Sequence, residues 1–439
     1  MGIYPLFYLV VVISGWFMAF WKGPIWGLLT YAFIYFNIPS HQWWGGQVPD
    51  LRWSMLAAVL VIASCFFHAR DLASTPFFRN PLGLILLALL AWMMIIAPFT
   101  PDPARSWAKV YDFFRYVLIF FLINKTLSDF ARYRLFTVTL LLCTFYIAVL
   151  AHHYFSGSRL DGVGLPDASD ANMLAALVIL LLPLYVVAIF AEKGMIRVLP
   201  LLAMVLVINM FVMCGSRGAF VGLLVQGGLA LPLLSKRIGL IKSLACCLLV
   251  FLCLFNLMSP QYKSRLLGME QGIRDDNAEM GNISAGRTEI WKYGLLMASD
   301  YPFGAGGGSF QAMSPRYIPG FLLTGGERAS HNTYLLVLVE QGWIGLGIFL
   351  LFIYSQFHHL HESIKLFHGI TLSPEQKKIL YNIYAVGIGL VGFWAASFFI
   401  DRLYFEGIYL VAALIPVLGR LSKEVTVTSS TEDSQTVKS

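Results

Sequence analysis

Long apolar runs separated by short polar joints make up most of the chain, and their lengths predict its architecture. Runs at 82–98, 171–191, 198–214 and 244–258 reach or approach the roughly 17–25 apolar residues that cross a bilayer. Apolar positions are continuous rather than alternating, so the spans read as helices and not barrel strands. The pattern predicts about thirteen spans, near 4–20, 24–38, 53–68, 82–98, 113–124, 135–154, 171–191, 198–214, 218–235, 243–258, 332–354, 379–398 and 404–419. The second and fifth are short, and 104–111 reads as an interfacial helix leading into the fifth. The expected fold class is all-α: a polytopic transmembrane helical bundle of about 12–13 spans with one long extracytoplasmic loop containing short helices. Residues 1–258 would hold helices 1–10, 259–330 the loop, 331–420 helices 11–13, and 421–439 a disordered cytoplasmic tail.

Composition agrees with this reading. The chain is 58% hydrophobic and 13% charged over 439 residues, too little charge to cover a soluble core of that size. The net charge of +7 is explained by basic residues gathered in alternate short loops: Lys22; Arg70 and Arg79; Lys125, Arg132 and Arg134; Lys193 and Arg197; Lys236, Arg237 and Lys242; Lys365, Lys377 and Lys378; Arg420 and Lys423. The positive-inside bias makes those loops cytoplasmic. That puts the amino terminus outside, the carboxyl tail inside and the 259–330 loop on the outer face, and it removes the need for a nucleic-acid partner. Cys65, Cys143, Cys214, Cys246, Cys247 and Cys253 fall in or at the ends of apolar runs, so free buried thiols are expected rather than a disulfide framework. The first run lacks a basic leader and a cleavage site and reads as a retained helix.

The long loop is not built like a disordered one. It carries Trp291, Tyr293, Tyr301, Phe303, Phe310, Tyr317 and Phe321 among glycines and prolines, and "RTEIWKYGLLMAS" (287–299) has helical spacing. It ends in "GGERASHNTYLLVLVEQGWIGLG" (325–347), where His331 stands at the entry to the eleventh span. Imidazole titrates near neutral pH and serves as a general base; the plainer reading is a helix-start histidine packing at the headgroups. In "CGSRGAFVG" (214–222) Arg217 sits in a hairpin too tight for a spare charge. Its planar fork matches phosphate oxygens, against the plainer reading of snorkelling to the interface.

Arg265, Arg274, Arg287, Arg316 and Arg328 make the outer loop basic, as an anionic ligand would require. In "SRLDGVGLPDASDANMLA" (158–175), Arg159, Asp161, Asp167, Asp170 and Asn172 surround a helix start, as a cap or as part of a sugar site. "DYPFGAGGGSF" (300–310) is a weak phosphate loop, since no strand precedes it. It reads better as a tight turn, with Gly306 and its neighbours able to offer amides to an anion. Glu340 lies ~13 Å into its span by helical rise, as a functional carboxylate or paired with a neighbouring helix. His358, His359, His361 and His368 with Glu362 have a metal-like spacing but read as a solvated face. No metal site and no cofactor is expected.

"AGRTEIWKYGLLMASDYPFGAGGGSF" followed by "SHNTYLLVLVEQGWIGLG" resembles the signature region of the O-antigen ligase and polymerase superfamily of bacterial membrane proteins, closest to O-antigen ligase. "GSRGAFVGLL" is similar to the arginine hairpin of that family, and "DANMLAALVILLLPL" to its asparagine-bearing helix start. "WKGPIWGLLTYAFIYFNIP" is weakly similar to the amino-terminal region of O-glycosylation ligases. The ordered series, over roughly 158–353, is more specific than any one piece.

The resemblance implies a GT-C-type glycosyltransferase of the bacterial inner membrane, with its active site facing the periplasm. It implies metal-independent transfer of a glycan from undecaprenyl diphosphate to an acceptor hydroxyl, most simply that of a lipid A core in lipopolysaccharide biosynthesis. It assigns His331 as the essential histidine, Arg217 as the hairpin arginine and Arg287 as the loop arginine, the two arginines on the diphosphate. Arg265, Arg328, Arg159, Asn172, Asn332 and Gly306 are further candidates for contact with substrate. The expected partners are the lipid-linked donor, a lipid A core or other glycan acceptor, and membrane lipid. A polysaccharide polymerase and a protein O-glycosylation ligase would share these motifs. A lipid-linked glycan transporter is the more distant alternative, and the halves of the chain show none of the similarity expected of inverted repeats.

Overall fold

The computed structural model describes residues 2–74, 79–156, 159–160, 162–163, 165–167, 170–191, 197–257, 263, 283–323 and 325–436. These are overwhelmingly helical, with no strand among them. The helices are α1 (Ile3–Lys22), α2 (Pro24–Phe36), α3 (Trp53–Phe67), α4 (Pro81–Ile96), α5 (Pro103–Thr126), α6 (Phe130–Tyr154), α7 (Ala171–Ala191), α8 (Val198–Cys214), α9 (Arg217–Ile238), α10 (Leu240–Leu257), α11 (Ile283–Asp300), α12 (Ser309–Tyr317), α13 (Thr333–Lys365), α14 (Pro374–Ala396), α15 (Glu406–Ala412) and α16 (Leu414–Thr436).

Among the described residues seven helices are long and apolar enough to cross a membrane, with Trp53–Phe67 and Val198–Cys214 as shorter apolar helices. The chain is therefore a polytopic helical bundle. Four elements differ from the expected spans, among them α13, which runs on to Lys365. The interfacial helix and fifth span are one continuous α5, whose Arg105, Lys109, Asp112 and Arg115 masked it in a hydropathy pattern. The last span is divided into α15 and α16, and α16 runs on to Thr436, past the boundary expected for the tail. Cys65 and Cys143 are unbridged thiols; the side chains of Cys246, Cys247 and Cys253 lie outside the described residues.

The helices sort apolar surface in a way a soluble bundle would not. On α1, Ile3, Leu6, Phe7, Val10, Ile13 and Phe17 are exposed while Tyr8, Val12 and Ala19 are buried. Both faces are apolar, one for lipid and one for protein, so burial cannot be read from hydropathy alone. Close packing comes instead from small residues. α14 lies between α7 and α9, and a Cβ on Gly222 of α9 would stand 2.5 Å from the Gly392 carbonyl oxygen of α14.

The feature that positions the functional face is a break in α13 at Gly342 (φ 68°, ψ −171°). A break frees backbone groups that cannot be left unpaired at that depth, and the glycine-rich turn after α11 takes them up. The Ala305 amide donates to the Val339 carbonyl at 2.9 Å, Gly306 to that of Glu340 at 2.8 Å, and the Trp343 amide donates to the Pro302 carbonyl at 3.0 Å. Trp92 Nε1 donates to the Gln341 carbonyl at 2.7 Å.

The turn is glycine-rich because the backbones touch. A Cβ on Gly342 would lie 2.3 Å from the Phe303 carbonyl carbon, in a conformation L side chains rarely adopt. Gly342→Ala is expected to cost on the order of 3 kcal/mol, seen as a lower melting midpoint in detergent. An unchanged midpoint would refute this account of the splice.

Candidate functional site

The site is built at the start of α13. Asn332 caps this helix, its Oδ1 accepting from the Tyr334 and Leu335 amides at 3.0 and 3.1 Å. His331 just before it has φ 49°, the only positive φ of a non-glycine residue among the described residues. Such strain persists only where surroundings over-determine it, and here they do. Asp401 accepts from the Ser330 hydroxyl and from the Asn332 amide, the latter at 3.0 Å. The Thr333 hydroxyl donates to the Ile400 carbonyl at 2.5 Å. Trp291 Nε1, from α11, donates to the Ser330 carbonyl at 3.1 Å. The half-buried imidazole is thus presented by a turn clamped from α11 on one side and the α14–α15 connection on the other.

Its electrical surroundings are mainly cationic. Burial holds the His331 imidazole below the usual histidine range; the Asp401 carboxylate opposes this, and the Arg287 and Arg328 guanidiniums reinforce it. Arg287 in turn is held below the usual arginine range by burial and by the fields of Arg217, Arg328 and Arg159. Arg287 thus sits in the fields of three other guanidiniums from separate stretches of sequence, and it and Arg328 act on the histidine. Arg217 is brought there by the hairpin: Gly215 ends α8 in the left-handed conformation (φ 58°) and the Ser216 side chain caps α9, with Arg217 its first residue.

Arg159 is anchored to the same hairpin, its Nε donating to the Cys214 carbonyl at 3.2 Å and its Nη2 to Asp170 at 3.2 Å. Asn172 also donates to Asp170, at 3.0 Å. Arg287 is different: its Nε is buried without a hydrogen-bond partner. A half-buried guanidinium among like charges, with its buried Nε unused, is the arrangement an anion would complete.

The sequence reading missed Asp401 and Arg402. Both lie in a connection between two apolar runs, where "IDRLYFEG" (400–407) places three charges in eight residues; that density was the available signal. Arg402 is 1% exposed, and burial pushes its guanidinium down to about 10, against Asp170, Asp401 and Asp167, which leaves it protonated at neutral pH. Its Nη1 donates to the Asp401 carbonyl at 3.3 Å, while Nε and Nη2 are buried and without hydrogen-bond partners.

Beside the histidine turn opens a cavity of about 410 Å³ lined by Lys109, Arg115, Asp167, Glu340, Asp401 and Glu406, among others. Its polar walls are cross-linked. Tyr404 donates to Glu340 at 2.8 Å, Tyr31 to Glu406 at 2.6 Å and Tyr35 to Asp167 at 2.7 Å. Glu340 is thus tied to the α14–α15 connection, as the pairing reading expects, and it lines a polar cavity.

The remaining sequence candidates are placed as follows. Gly306 abuts the site-bearing helix, and its amide is committed to the Glu340 carbonyl. Asn332 acts as the helix cap. Arg265 and Arg274 lie outside the described residues. Glu362 is paired with Lys365 at 2.8 Å and the His359 ring with the Ser355 carbonyl at 2.7 Å. Among the described residues no group of three or more His, Cys, Asp or Glu side chains is placed to hold a metal.

Residues 202–350 match the family described as O-antigen ligase, a segment that carries Arg217, Arg287, Arg328 and His331. Over this segment the match supports a likeness to the O-antigen ligase superfamily. No curated protein matches the chain.

Proposed function

We propose that the protein transfers a glycan from undecaprenyl diphosphate to an acceptor hydroxyl, with ligation to a lipid A core as the leading case. The site would lie at the periplasmic face of the bacterial inner membrane. The observation that carries this reading is Arg287, which lies among the fields of Arg159, Arg217 and Arg328 and, with Arg328, acts on a histidine whose burial and cationic neighbours favour its neutral form. A neutral imidazole accepts the proton of the attacking hydroxyl. The hydroxyl oxygen bonds to the anomeric carbon as the bond from that carbon to the diphosphate oxygen breaks. Undecaprenyl diphosphate leaves with the bonding pair, and the fixed guanidiniums offset the charge it gains.

The chain purified and reconstituted with undecaprenyl-diphosphate glycan and rough lipopolysaccharide, in EDTA, should shift the acceptor on a gel. A ladder on the lipid carrier without acceptor would indicate a polymerase using the same site. No product from folded protein with several acceptors would defeat the ligase and polymerase readings and favour a protein acceptor or transport.

The rate should also report the histidine. Because its pKa is lowered from 6.5, kcat/KM is expected to be level at neutral pH and to fall only as pH drops through a midpoint below that value. Asp401→Asn removes a charge that raises this pKa, so the midpoint should move to lower pH; Arg328→Gln should move it up. A pH–rate profile in which neither variant moves the midpoint would remove His331 from the rate-determining ionisation.

A further inference from the structure

At the opposite end of α13 the bundle holds a second, larger cavity of about 760 Å³. His358 and His359 on its wall lie beyond the break at Gly342, in the far part of α13, and no residue of its lining also lines the cavity beside the histidine turn. It therefore cannot belong to the site above.

Its basic lining comes from four separate segments: Arg79 before α4, Lys125 at the end of α5, His358 and His359 of α13, and Arg420 and Lys423 of α16. The one acidic residue in the lining, Glu362, is already paired with Lys365. Arg420 also meets Glu424 at 3.9 Å, so the cavity is positive on balance through its lysines and arginines.

Two of its cations are fixed in place by backbone. Lys125 Nζ donates to the Ala73 carbonyl at 3.2 Å, and Arg420 donates to the carbonyls of Asn124, at 3.4 Å, and Leu127. Lys125 also feels the positive field of Arg420, a repulsion that a bound anion would relieve. The amino end of α4, capped by Asn80, opens onto the same space and adds its positive dipole. Phe121 and Ile415, about one turn before Lys125 and Arg420 on α5 and α16, add an apolar wall.

A cationic rim with an apolar wall, at a helix-bundle end rich in Lys and Arg, fits a ligand that is anionic at its head and hydrocarbon behind it. We propose that this cavity binds the phosphate headgroup of an anionic glycerophospholipid from the cytoplasmic leaflet. Four segments bring their cations to the edge of one concave space. Binding would brace the far end of α13, the helix whose other end presents His331, and it stands independently of the reaction proposed above.

The test uses the full chain in detergent and native mass spectrometry, with phosphatidylglycerol, phosphatidylethanolamine and inorganic phosphate as probes. Arg79 and Lys423 are exposed, so Arg79→Gln with Lys423→Gln should leave the fold intact; Lys236→Gln, a basic residue outside the cavity, is the control. Phosphatidylglycerol should be retained over phosphatidylethanolamine by the wild type and the control. The double variant should lose about thirtyfold in phosphatidylglycerol affinity. Equal retention of the two lipids, or an unchanged preference in the double variant, would overturn the proposal. So would displacement of the lipid by millimolar inorganic phosphate, which would mark a site for the free anion.

Discussion

His331→Ala is expected to lower kcat by about 10²–10⁴-fold, the usual worth of a positioned general base, with much less change in KM for the lipid donor. The reason lies in what surrounds the ring. Arg159, Arg217, Arg287 and Arg328 remain after the substitution, so the diphosphate should still bind, while the hydroxyl proton has no acceptor. Alanine also disturbs a backbone held at φ 49°, so a loss of rate could reflect a loosened turn. His331→Asn separates the two effects. Asparagine tolerates the left-handed region and can keep the clamp from Asp401 and Trp291, but it cannot take the proton. Activity near wild type in His331→Asn would exclude the histidine as the base; activity lost in both, with unchanged melting midpoints, would establish it.

Arg287→Ala is expected to reduce kcat/KM by about 10²–10³-fold, as removal of one charge-stabilising donor does in comparable sites. Arg287→Lys should recover little, because a single ammonium does not reproduce the planar fork on a diphosphate. Of the four arginines this one carries the largest expected effect. Arg159 is already engaged by Asp170 and the Cys214 carbonyl, whereas Arg287 keeps a buried Nε with no protein partner and sits among like charges. Removing it would also relieve that repulsion, so the variant should fold at least as well as the wild type. A variant with kcat/KM within about threefold of wild type would be inconsistent with a diphosphate clamp at this position. Weak activity restored by lysine would point to a general field effect instead.

Much of this was legible beforehand, and unevenly. Run length alone located α7, α8 and α9 to within a few residues, because a bilayer sets the length of what crosses it. Local chemistry placed the polar ends of helices. The Ser216–Arg217 hairpin and the Asn332 cap lie in continuous stretches whose geometry is fixed by neighbours in sequence. His331 stood out because an ionisable group beginning an apolar helix is unusual. By contrast α5 was split in two, since a helix that turns Arg105, Lys109 and Arg115 toward partners breaks the apolar pattern while remaining helical.

The sequence by itself determined that this chain is a bundle of membrane helices, that its long polar segment precedes His331, and that arginines accumulate on that side. Only the tertiary structure decided which of those groups meet. Asp401 holds Ser330 and Asn332 from some seventy residues away, Arg402 is buried beside them, and the glycine turn after α11 closes the break at Gly342. The physical reason is a difference in range. Transfer of apolar side chains to lipid is a local property, summed residue by residue, so it can be read from order alone. Satisfying a buried carboxylate, guanidinium or broken backbone requires a partner at hydrogen-bond distance, and packing decides which residue arrives there.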